Sequence, residues 1–444
     1  MTRLFYTFLL NLLRPLLRRK LTRRGAHEPG YLQAVQERFG RYASPAQRSH
    51  ANTIWVHAVS LGETRAAAVL IEALRERFAD MRLVLTHSTA TGRTEGARVL
   101  HEGDCQAWLP WDVPTAVRAF LDHFEPRIGI LMETEIWPNL TDICAQRGLP
   151  LVLANARLSE KSLRWAQRLS WLARPAYRSL AAVWAQTQQD AERLRALGAN
   201  VQGVFGNVKF DATPQAEQLA RGRRWRESIR RAVVMFASSR EDEELALLQL
   251  LVSKHSGTGV NQVRDAMNSV VTEIQWLLVP RHPQRFDEVA SLIEQCGFGL
   301  SRRSQWVDGP PSQPESGPTT IWLGDSLGEM AQYYALADLA LLGGSFEPLG
   351  GQNLIEAAAC ACPVVMGPHT FNFSDAADLA QAAGAALRVA DIAQAVSVAV
   401  DLAHDARALE AARQAADVFA RTHQGATARL TAAIEALLTS AATR

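Results

Sequence analysis

The sequence has few cysteines and no arrangement of them that would bind a metal. There are five in 444 residues; none forms a Cys-x-x-Cys pair, and no histidine cluster has the spacing of a zinc site. This odd, sparse set argues against a disulfide framework and indicates a reduced, cytosolic body. Basic and acidic residues nearly balance, with a formal net charge of +2, which argues against a nucleic-acid-binding protein. The 28 glycines and 19 prolines exclude collagen-like and low-complexity chains.

No apolar run reaches the ~20 residues of a membrane-spanning helix. The nearest candidate lies at the N-terminus, where residues 1–27 hold seven basic residues and no acidic one. Arginines follow its apolar stretch at 4–13, where a signal peptide would need a small-residue cleavage site. We therefore predict that residues 1–24 form an interfacial helix on anionic lipids, with the body on the cytoplasmic side. A helix packed on the protein's own core is the alternative.

Short apolar runs alternate with amphipathic helical stretches along the rest of the chain. This pattern is typical of parallel sheets covered by helices on both faces. It predicts an α/β protein with two Rossmann-like domains, 25–212 and 213–403, followed by an Ala-rich helical tail at 404–444. Ligands of such sheets bind at the carboxyl ends of the strands. The predicted strands are 54–58, 83–86, 128–132, 151–154 and 182–185, then 233–237, 276–279, 320–323, 339–342 and 363–366.

Carboxylates follow two predicted strands of the first domain. Glu63 comes after strand 54–58, beside a glycine that would let a substrate approach, and could act as a general base on a hydroxyl. Ser60 and Glu63 also fit a capping box, so helix capping is an equally good interpretation. Glu133 and Glu135 follow strand 128–132, where capping would need only one acid. Two acids at one turn therefore favour a functional role.

Cations complete the candidate site of the first domain. Arg157 follows strand 151–154, and Lys209 lies between a Gly-Asn turn and Phe210 near the domain join. Lys209 either contacts an anion there or is solvated, as a lone lysine usually is.

The second domain carries residues suited to a phosphate. Pro280, Arg281 and His282 follow strand 276–279, and arginine binds phosphate in a bidentate manner; a buried ion pair is the alternative. Four glycines at 343–351 then lead into a helix predicted to begin near Gln352, and exposed N–H groups there would form an anion site. The segment is neither a P-loop nor a GxGxxG fingerprint. Glu356, one turn into that helix, could accept ribose hydroxyls.

In this order, the motifs resemble those of the 3-deoxy-D-manno-octulosonic acid (Kdo) transferases of Gram-negative bacteria. The resemblance extends from the N-terminus to about residue 375, through segments 60–63, 133–139, 155–159, 206–211, 280–283, 328–330, 343–356 and 367–373. It implies a GT-B fold and transfer of Kdo from CMP-Kdo to the lipid A precursor at the inner membrane. The first domain would bind the acceptor and the second CMP-Kdo. The tail would pack back on the first domain.

The resemblance also implies roles for individual residues. Glu63 matches the proton acceptor, and Glu133 and Lys209 match positions of transition-state stabilisation. Twelve positions in all are candidates, and those that match CMP-binding segments are Pro280, Arg281, Gly328, Glu329, Met330, Asn353, Leu354, Ile355 and Glu356. The sequence departs from the family pattern at three places. The family often has His where this sequence has Gln352, Pro-Leu where it has Leu354 and Ile355, and His where it has Arg240.

The chemistry predicted from these residues is a single displacement with inversion. The sequence also leaves open a covalent glycosyl-enzyme, which would need a nucleophile at the sugar carbon. The sequence has no Asp-x-Asp metal motif, and a leaving CMP with one phosphate needs no Mg²⁺ clamp for a diphosphate. We expect no metal and no cofactor, with CMP-Kdo as donor substrate and no nucleic-acid partner. Two alternatives remain: another GT-B enzyme that uses a UDP-sugar, and an inactive, membrane-docked binding relative.

Overall fold

The strands pair in parallel and form two seven-stranded sheets. The computed structural model describes residues 2–43, 52–255, 274–311 and 319–442. The chain divides into one unit of Met1–Asp211 with Gln424–Arg444 and a second unit of Ala212–His423. The two-domain α/β architecture predicted from the alternating pattern is confirmed.

The first sheet has the strand order β3-β2-β1-β4-β5-β6-β7. Its strands are β1 Thr53–His57, β2 Arg82–His87, β3 Cys105–Trp108, β4 Ile128–Met132, β5 Leu151–Ala156, β6 Ala182–Ala185 and β7 Val201–Val204. The helices of this part of the chain are α1 Thr2–Leu12, α2 Arg14–His27, α3 Leu61–Arg77, α4 Ala90–Gly96, α5 Pro114–Phe124, α6 Pro138–Gln146, α7 Glu160–Arg168, α8 Ser170–Arg178 and α9 Gln188–Ala196, with single turns of 3₁₀ helix at Pro29–Leu32, Val35–Phe39 and Val208–Asp211.

The second sheet has the order β10-β11-β9-β8-β12-β13-β14. Its strands are β8 Ala232–Ser239, β9 Ile274–Pro280, β10 Gly299–Arg302, β11 Thr320–Leu323, β12 Leu339–Leu342, β13 Val364–Met366 and β14 Ala386–Arg388. Its helices are α10 Ala216–Glu227, α11 Glu243–His255, α12 Phe286–Gln295, α13 Met330–Leu336, α14 Leu354–Ala359, α15 Ser374–Ala382, α16 Ile392–His404 and α17 Ala406–Thr422, with 3₁₀ turns at Pro283–Arg285 and Arg303–Gln305.

Side chains of the central strands alternate between two hydrophobic cores of the first unit, one on each face of the sheet. In β1, Trp55 packs with Phe120 of α5 on one face of the sheet, whereas Ile54 and Val56 pack with Leu70 of α3 on the other. Successive side chains of a strand point to opposite faces, so a central strand with helices on both sides is apolar throughout. The carboxyl ends of the strands are left for polar loops.

The C-terminal segment is two helices rather than one continuous tail. Helix α17 belongs to the second unit, where Arg413 forms an ion pair with Asp338 at 2.6 Å. A break at Gly425, with φ of +92°, precedes α18 (Ala426–Ala442), which belongs to the first unit. The predicted tail at 404–444 was therefore wrong for residues 406–422, because their apolar face is already buried against the second unit.

Helix α18 completes the second core of the first unit. Its residues Ala426, Leu430, Ile434 and Leu438 are at most 5% exposed and pack with the side chains of α3. The carboxylate of Asp211 accepts hydrogen bonds from the backbone N–H groups at the start of this helix, at 2.6 Å for Thr427. The last helix is thus an integral part of the first unit's core.

Helix α1 contacts the body through its polar residues. The Tyr6 hydroxyl donates to the Asp112 carboxylate at 3.0 Å, and Thr7 donates to Asn139 at 3.1 Å, while Arg3 forms an ion pair with Asp142. No side chain from residue 3 to 12 is buried, but Leu21 of α2 is buried in a cluster with Tyr31 and Trp108. Part of segment 1–24 therefore packs on the protein's own core. Within the described residues, no helix combines the length and the apolar character needed to cross a membrane.

Candidate active site

The order of strands in the first sheet reverses between β1 and β4. At such a switch point the loops after the two strands diverge to opposite faces and leave a crevice at the carboxyl edge. Glu63 follows β1 and Glu133 follows β4, and these strands are direct neighbours with His57 in register with Leu131. The topology therefore brings together two carboxylates that are 70 positions apart in the sequence.

Glu63 is held in the first turn of α3 by a capping box. Ser60 is the N-cap residue, and its hydroxyl donates to Glu63 Oε1 at 3.2 Å. The other oxygen, Oε2, accepts the backbone N–H of Val59 at 3.0 Å. The predicted capping box is thus confirmed. Since each carboxylate oxygen receives one donor and can accept two, lone pairs remain available on the same group.

The surroundings of Glu63 favour the protonated form of its carboxyl group. Burial raises the pKa of Glu63 to about 7, and the negative charge of Glu133 adds to this effect. Hydrogen bonds from Val59 and Ser60 act in the opposite direction but are outweighed. A carboxylate with a pKa near neutrality is a much better proton acceptor than an ordinary glutamate, because base strength rises with pKa.

Glu133 and Lys209 form an ion pair beside this group. Lys209 Nζ lies 3.0 Å from Glu133 Oε1, and Glu133 is 8% exposed. Glu133 has a φ of +59°, a left-handed conformation that non-glycine residues adopt mainly where the surrounding structure imposes it. The anion that Lys209 contacts in this structure is therefore a buried carboxylate of its own unit.

Asn155 positions the short helix that carries Lys209. Its Oδ1 accepts the backbone N–H of Val208 at 3.1 Å, and its carbonyl accepts Gln186 Nε2 at 2.9 Å. Asn155 also has a positive φ, +52°, which asparagine tolerates better than most residues. Sequence reasoning noted this residue only as part of segment 155–159; an asparagine directly at a strand end was the available signal.

Glu135 is a further carboxylate that the site-residue prediction did not include. It is half-buried, and burial raises its pKa. Its charge also contributes to the raised pKa of Glu63. The pair of acids at 133 and 135 was the sequence signal, but only Glu133 matched a family role.

In the second unit the strand order reverses between β8 and β12. Here Glu243, which is 2% exposed, accepts backbone N–H groups from Arg240 at 2.9 Å, Gly344 at 2.8 Å and Phe346 at 3.3 Å. The carboxylate joins the loops after the two strands. It also uses two of the N–H groups in the glycine segment that were predicted to be exposed for an anion, so that prediction was wrong for Gly344 and Phe346.

The helix after the glycine segment begins two residues later than predicted, at Leu354, and is short. Helix α14 has six residues, and its N-cap Asn353 accepts the backbone N–H of Ile355 at 3.2 Å. Leu354 and Ile355 are buried, whereas Glu356 is half-buried on the first turn. The helix is too short for a sizeable dipole to add to an anion site.

Pro280 is the last residue of β9, the other neighbour of β8, and Arg281 follows it. Pro280 is buried in the strand, while Arg281 is exposed and donates its backbone N–H to Ser239 at 2.9 Å. The buried ion pair at this strand end is made instead by Arg285, whose Nη1 lies 2.9 Å from Glu244 Oε1. The structure thus assigns the structural role to Arg285 and leaves the guanidinium of Arg281 at the surface.

Gly328, Glu329 and Met330 follow β11, next to β9 in the sheet. Gly328 has a φ of +78° and accepts Gln218 Nε2 at 2.8 Å. Glu329 forms an ion pair with Arg303 at 2.9 Å. Helix α13 begins only at Met330, and the Ser326 hydroxyl donates to the Glu329 carboxylate before it. The segments predicted to bind CMP therefore follow β9, β11 and β12, at the carboxyl edge of the second sheet.

Comparison with known proteins decides the family. Residues 33–212 match the family model described as 3-deoxy-D-manno-octulosonic-acid transferase (kdotransferase). The chain is 43% identical over 437 residues to the 3-deoxy-D-manno-octulosonic acid transferase of Bordetella pertussis, covering 97% of this chain and 98% of the relative. This chain belongs to the Kdo transferase family. A homologous transferase from Haemophilus influenzae is 30% identical and covers 84% of each chain.

The fold of this Kdo transferase is also found in nucleotide-sugar enzymes. A solved UDP-GlcNAc 2-epimerase from Neisseria meningitidis, bound to UDP-GlcNAc, matches with a TM-score of 0.55 at 13% identity over 87% of this chain and all of that one. At this identity the likeness concerns the GT-B type of fold alone. The region matched by the family model contains Glu63, Glu133 and Lys209.

The described part of this Kdo transferase contains no group of three or more His, Cys, Asp or Glu side chains arranged to hold a metal ion. Its five cysteines are free thiols. At two of the departures from the family pattern, Arg240 pairs with Glu241 at 2.9 Å, and Gln352 is half-buried beside Gly344.

Proposed function

We propose that this Kdo transferase moves Kdo from CMP-Kdo to a hydroxyl of the lipid A precursor, with Glu63 as the general base. The observation that carries the proposal is the placement of Glu63 at the switch point of the first sheet, with a pKa raised to about 7 beside the Glu133–Lys209 pair. A sugar hydroxyl is a poor nucleophile until its proton is removed as the new bond forms.

The proposed step is a single displacement at the anomeric carbon of Kdo. The acceptor oxygen bonds to that carbon while its proton passes to Glu63. The bond from the carbon to the CMP phosphate oxygen breaks, and its electron pair leaves with CMP. Attack opposite the leaving group inverts the configuration. Glu63 can take the proton on a lone pair not used by Val59 or Ser60, so the capping box and the base role are compatible.

We assign roles in catalysis and phosphate binding to three charged side chains from their charge and their position. Lys209 is the cation paired with Glu133. We assign both residues to transition-state stabilisation, since a preoriented charge needs no rearrangement during the reaction. Arg281 is the exposed guanidinium at the end of β9, and we assign it to the phosphate of CMP. The remaining residues proposed for CMP are those predicted above around Gly328 and Asn353. No step in this scheme calls for a metal ion.

We further propose that the protein works at the cytoplasmic face of the inner membrane of a Gram-negative bacterium. Helix α1 supports this placement: Leu4, Phe5, Phe8 and Leu12 are 61–71% exposed, and basic residues of α2 follow at once. Apolar side chains would enter the boundary between headgroups and acyl chains, while arginines contact anionic lipids.

The test is a transfer assay with purified protein, CMP-Kdo generated in situ and tetra-acylated lipid A precursor in detergent, with and without EDTA. Mass spectrometry of the lipid should show a gain of one or more Kdo units in both conditions. Glu63→Gln should lower the rate of transfer roughly 10²- to 10⁴-fold but leave CMP-Kdo binding nearly intact. Glu72→Gln is the matched control, since Glu72 is an exposed glutamate on the same helix. Full activity of Glu63→Gln would refute the base assignment, and competition by UDP rather than CMP would refute the donor.

A further inference from the structure

Helices α7 and α8 present large apolar side chains to solvent. Trp165 and Trp171 are 57% and 41% exposed, and Leu169 between them is 45% exposed. Helix α7 buries none of its residues. Other amphipathic helices of the same unit behave differently, since α5 and α18 bury their apolar faces. Leu163 and Ala166 of α7 pack against the core of the first unit, whereas Trp165, Leu169 and Trp171 remain exposed.

The same two helices are strongly basic. Residues 160–178 contain five basic residues and one acidic residue, in a chain whose charges otherwise nearly cancel. The acid, Glu160, is already paired with Arg164 at 2.9 Å. The guanidinium of Arg168 lies over the ring of Trp165, 5.6 Å from its centroid. Exposed tryptophans bordered by arginines are typical of a segment at the boundary between lipid and water.

Helix α8 packs against both α7 and α1. It therefore connects two other helices that carry exposed apolar side chains. Together, residues 2–27 and 160–178 hold twelve basic residues and one acid. Such a charge excess suits an anionic lipid surface. A symmetric dimer through this face would instead oppose identical basic sets, because a two-fold interface pairs a patch with itself.

We propose that α7 and α8 form a second membrane-contact element, in which Trp165, Leu169 and Trp171 enter the headgroup region of an anionic bilayer beside α1. This inference deepens the proposed location at the inner membrane and rests on it. Two contact elements would fix the orientation of the first unit on the bilayer, whereas α1 alone would only attach it. The carboxyl edge of the first sheet would then keep a constant orientation relative to lipid headgroups.

The test is binding of the full-length protein to sedimentable vesicles, which needs neither donor nor acceptor. Vesicles of phosphatidylethanolamine with about one third phosphatidylglycerol are compared with neutral phosphatidylcholine vesicles. We expect Trp165→Ala/Trp171→Ala to lower the partition coefficient on anionic vesicles at least about tenfold, since binding scales with the apolar area that enters the interface. Val418→Ala, an exposed apolar position of the second unit, should leave partitioning unchanged.

A second measurement identifies the side chains that enter the bilayer. Brominated lipids quench tryptophan emission at short range, and the quenched fraction of the wild type should exceed that of the double variant. Equal binding and equal quenching of the two proteins would overturn the proposal, as would absence of binding by the wild type. Loss of self-association in the variant, with vesicle binding unchanged, would show that the surface binds a second copy instead.

The outcome is separable from that of the proposed reaction. The double variant should keep wild-type transfer in detergent micelles, where orientation on a bilayer is irrelevant, and lose it selectively when the acceptor is embedded in vesicles. If neither the wild type nor the double variant transfers Kdo in detergent, the proposed function fails. Vesicle binding would still test whether α7 and α8 contact the membrane.

Discussion

The raised pKa of Glu63 leads to a quantitative prediction for the pH dependence of transfer. The group acts as a base, so only its carboxylate form is active, and the rate should fall as the pH falls through about 7. With one ionisation at that pKa, about half of the enzyme is active at pH 7 and about one tenth at pH 6. An ordinary glutamate, with a pKa of 4.5, would leave the rate nearly constant over this range.

The assay is kcat/KM for the acceptor from pH 5.5 to 8.5 in detergent, because this ratio reports ionisations of the free enzyme. The acid limb should give an apparent pKa near 7. Glu133→Gln should lower that pKa, because it removes a negative charge near Glu63 and also removes the carboxylate that offsets the charge of Lys209. Both effects favour the carboxylate of Glu63.

Two results would refute this reasoning. A profile that stays flat from pH 6 to 8 would show that Glu63 titrates normally or is not the base. A residual activity of Glu63→Gln with the same acid limb would assign the ionisation to another group, with Glu135 the first candidate since burial raises its pKa too. Otherwise the variant should lose roughly 10²- to 10⁴-fold in rate, the usual contribution of a positioned base.

Two predictions concern the elements that hold the first unit together. Tyr6→Phe should lower the free energy of unfolding by about 1–2 kcal/mol, because the carboxylate of Asp112 loses a hydrogen bond from α1. Tyr42→Phe is the control in chemical denaturation, since the Tyr42 hydroxyl is buried without a hydrogen-bond partner in the described chain. An equal loss of stability in both variants would contradict the role of the Tyr6–Asp112 hydrogen bond. Ile434→Ala should cost about 2–4 kcal/mol, because Ile434 is fully buried in the α18 contact; exposed Thr439→Ala should cost little, and equal melting temperatures of the two variants would argue against α18 as part of the core.

The interior strands of both sheets were predictable from apolar runs, whereas the edge strands were not. Each predicted set of five matches the five central strands of its sheet, and the strands missed were β3, β7, β10 and β14, which lie at the four edges. An edge strand is covered on fewer sides, so its side chains need not be apolar. In β7 half-buried and exposed residues alternate, and β10 has no buried residue. Neither produces a continuous hydrophobic run.

The candidate site was predictable as a set of strand ends but not as a set of contacts. Glu63, Glu133 and Lys209 could each be chosen for their position after a strand. Their proximity could not, since the register of neighbouring strands and the positive φ of Glu133 follow from packing across the whole sheet. The same holds for Glu243, whose three backbone partners come from two different loops.

By itself, the sequence determined the fold class, the two-domain order, the family and the residue types available for chemistry. These properties depend on local patterns: apolar periodicity, turn residues and short motifs. Tertiary structure decided which groups have their charges neutralised and which remain open to a ligand. It paired Lys209 with Glu133, used N–H groups of the glycine segment for Glu243, and buried Arg285 in place of Arg281. Such partnerships join residues distant in sequence, and their energies depend on burial and distance, which exist only once the chain has folded.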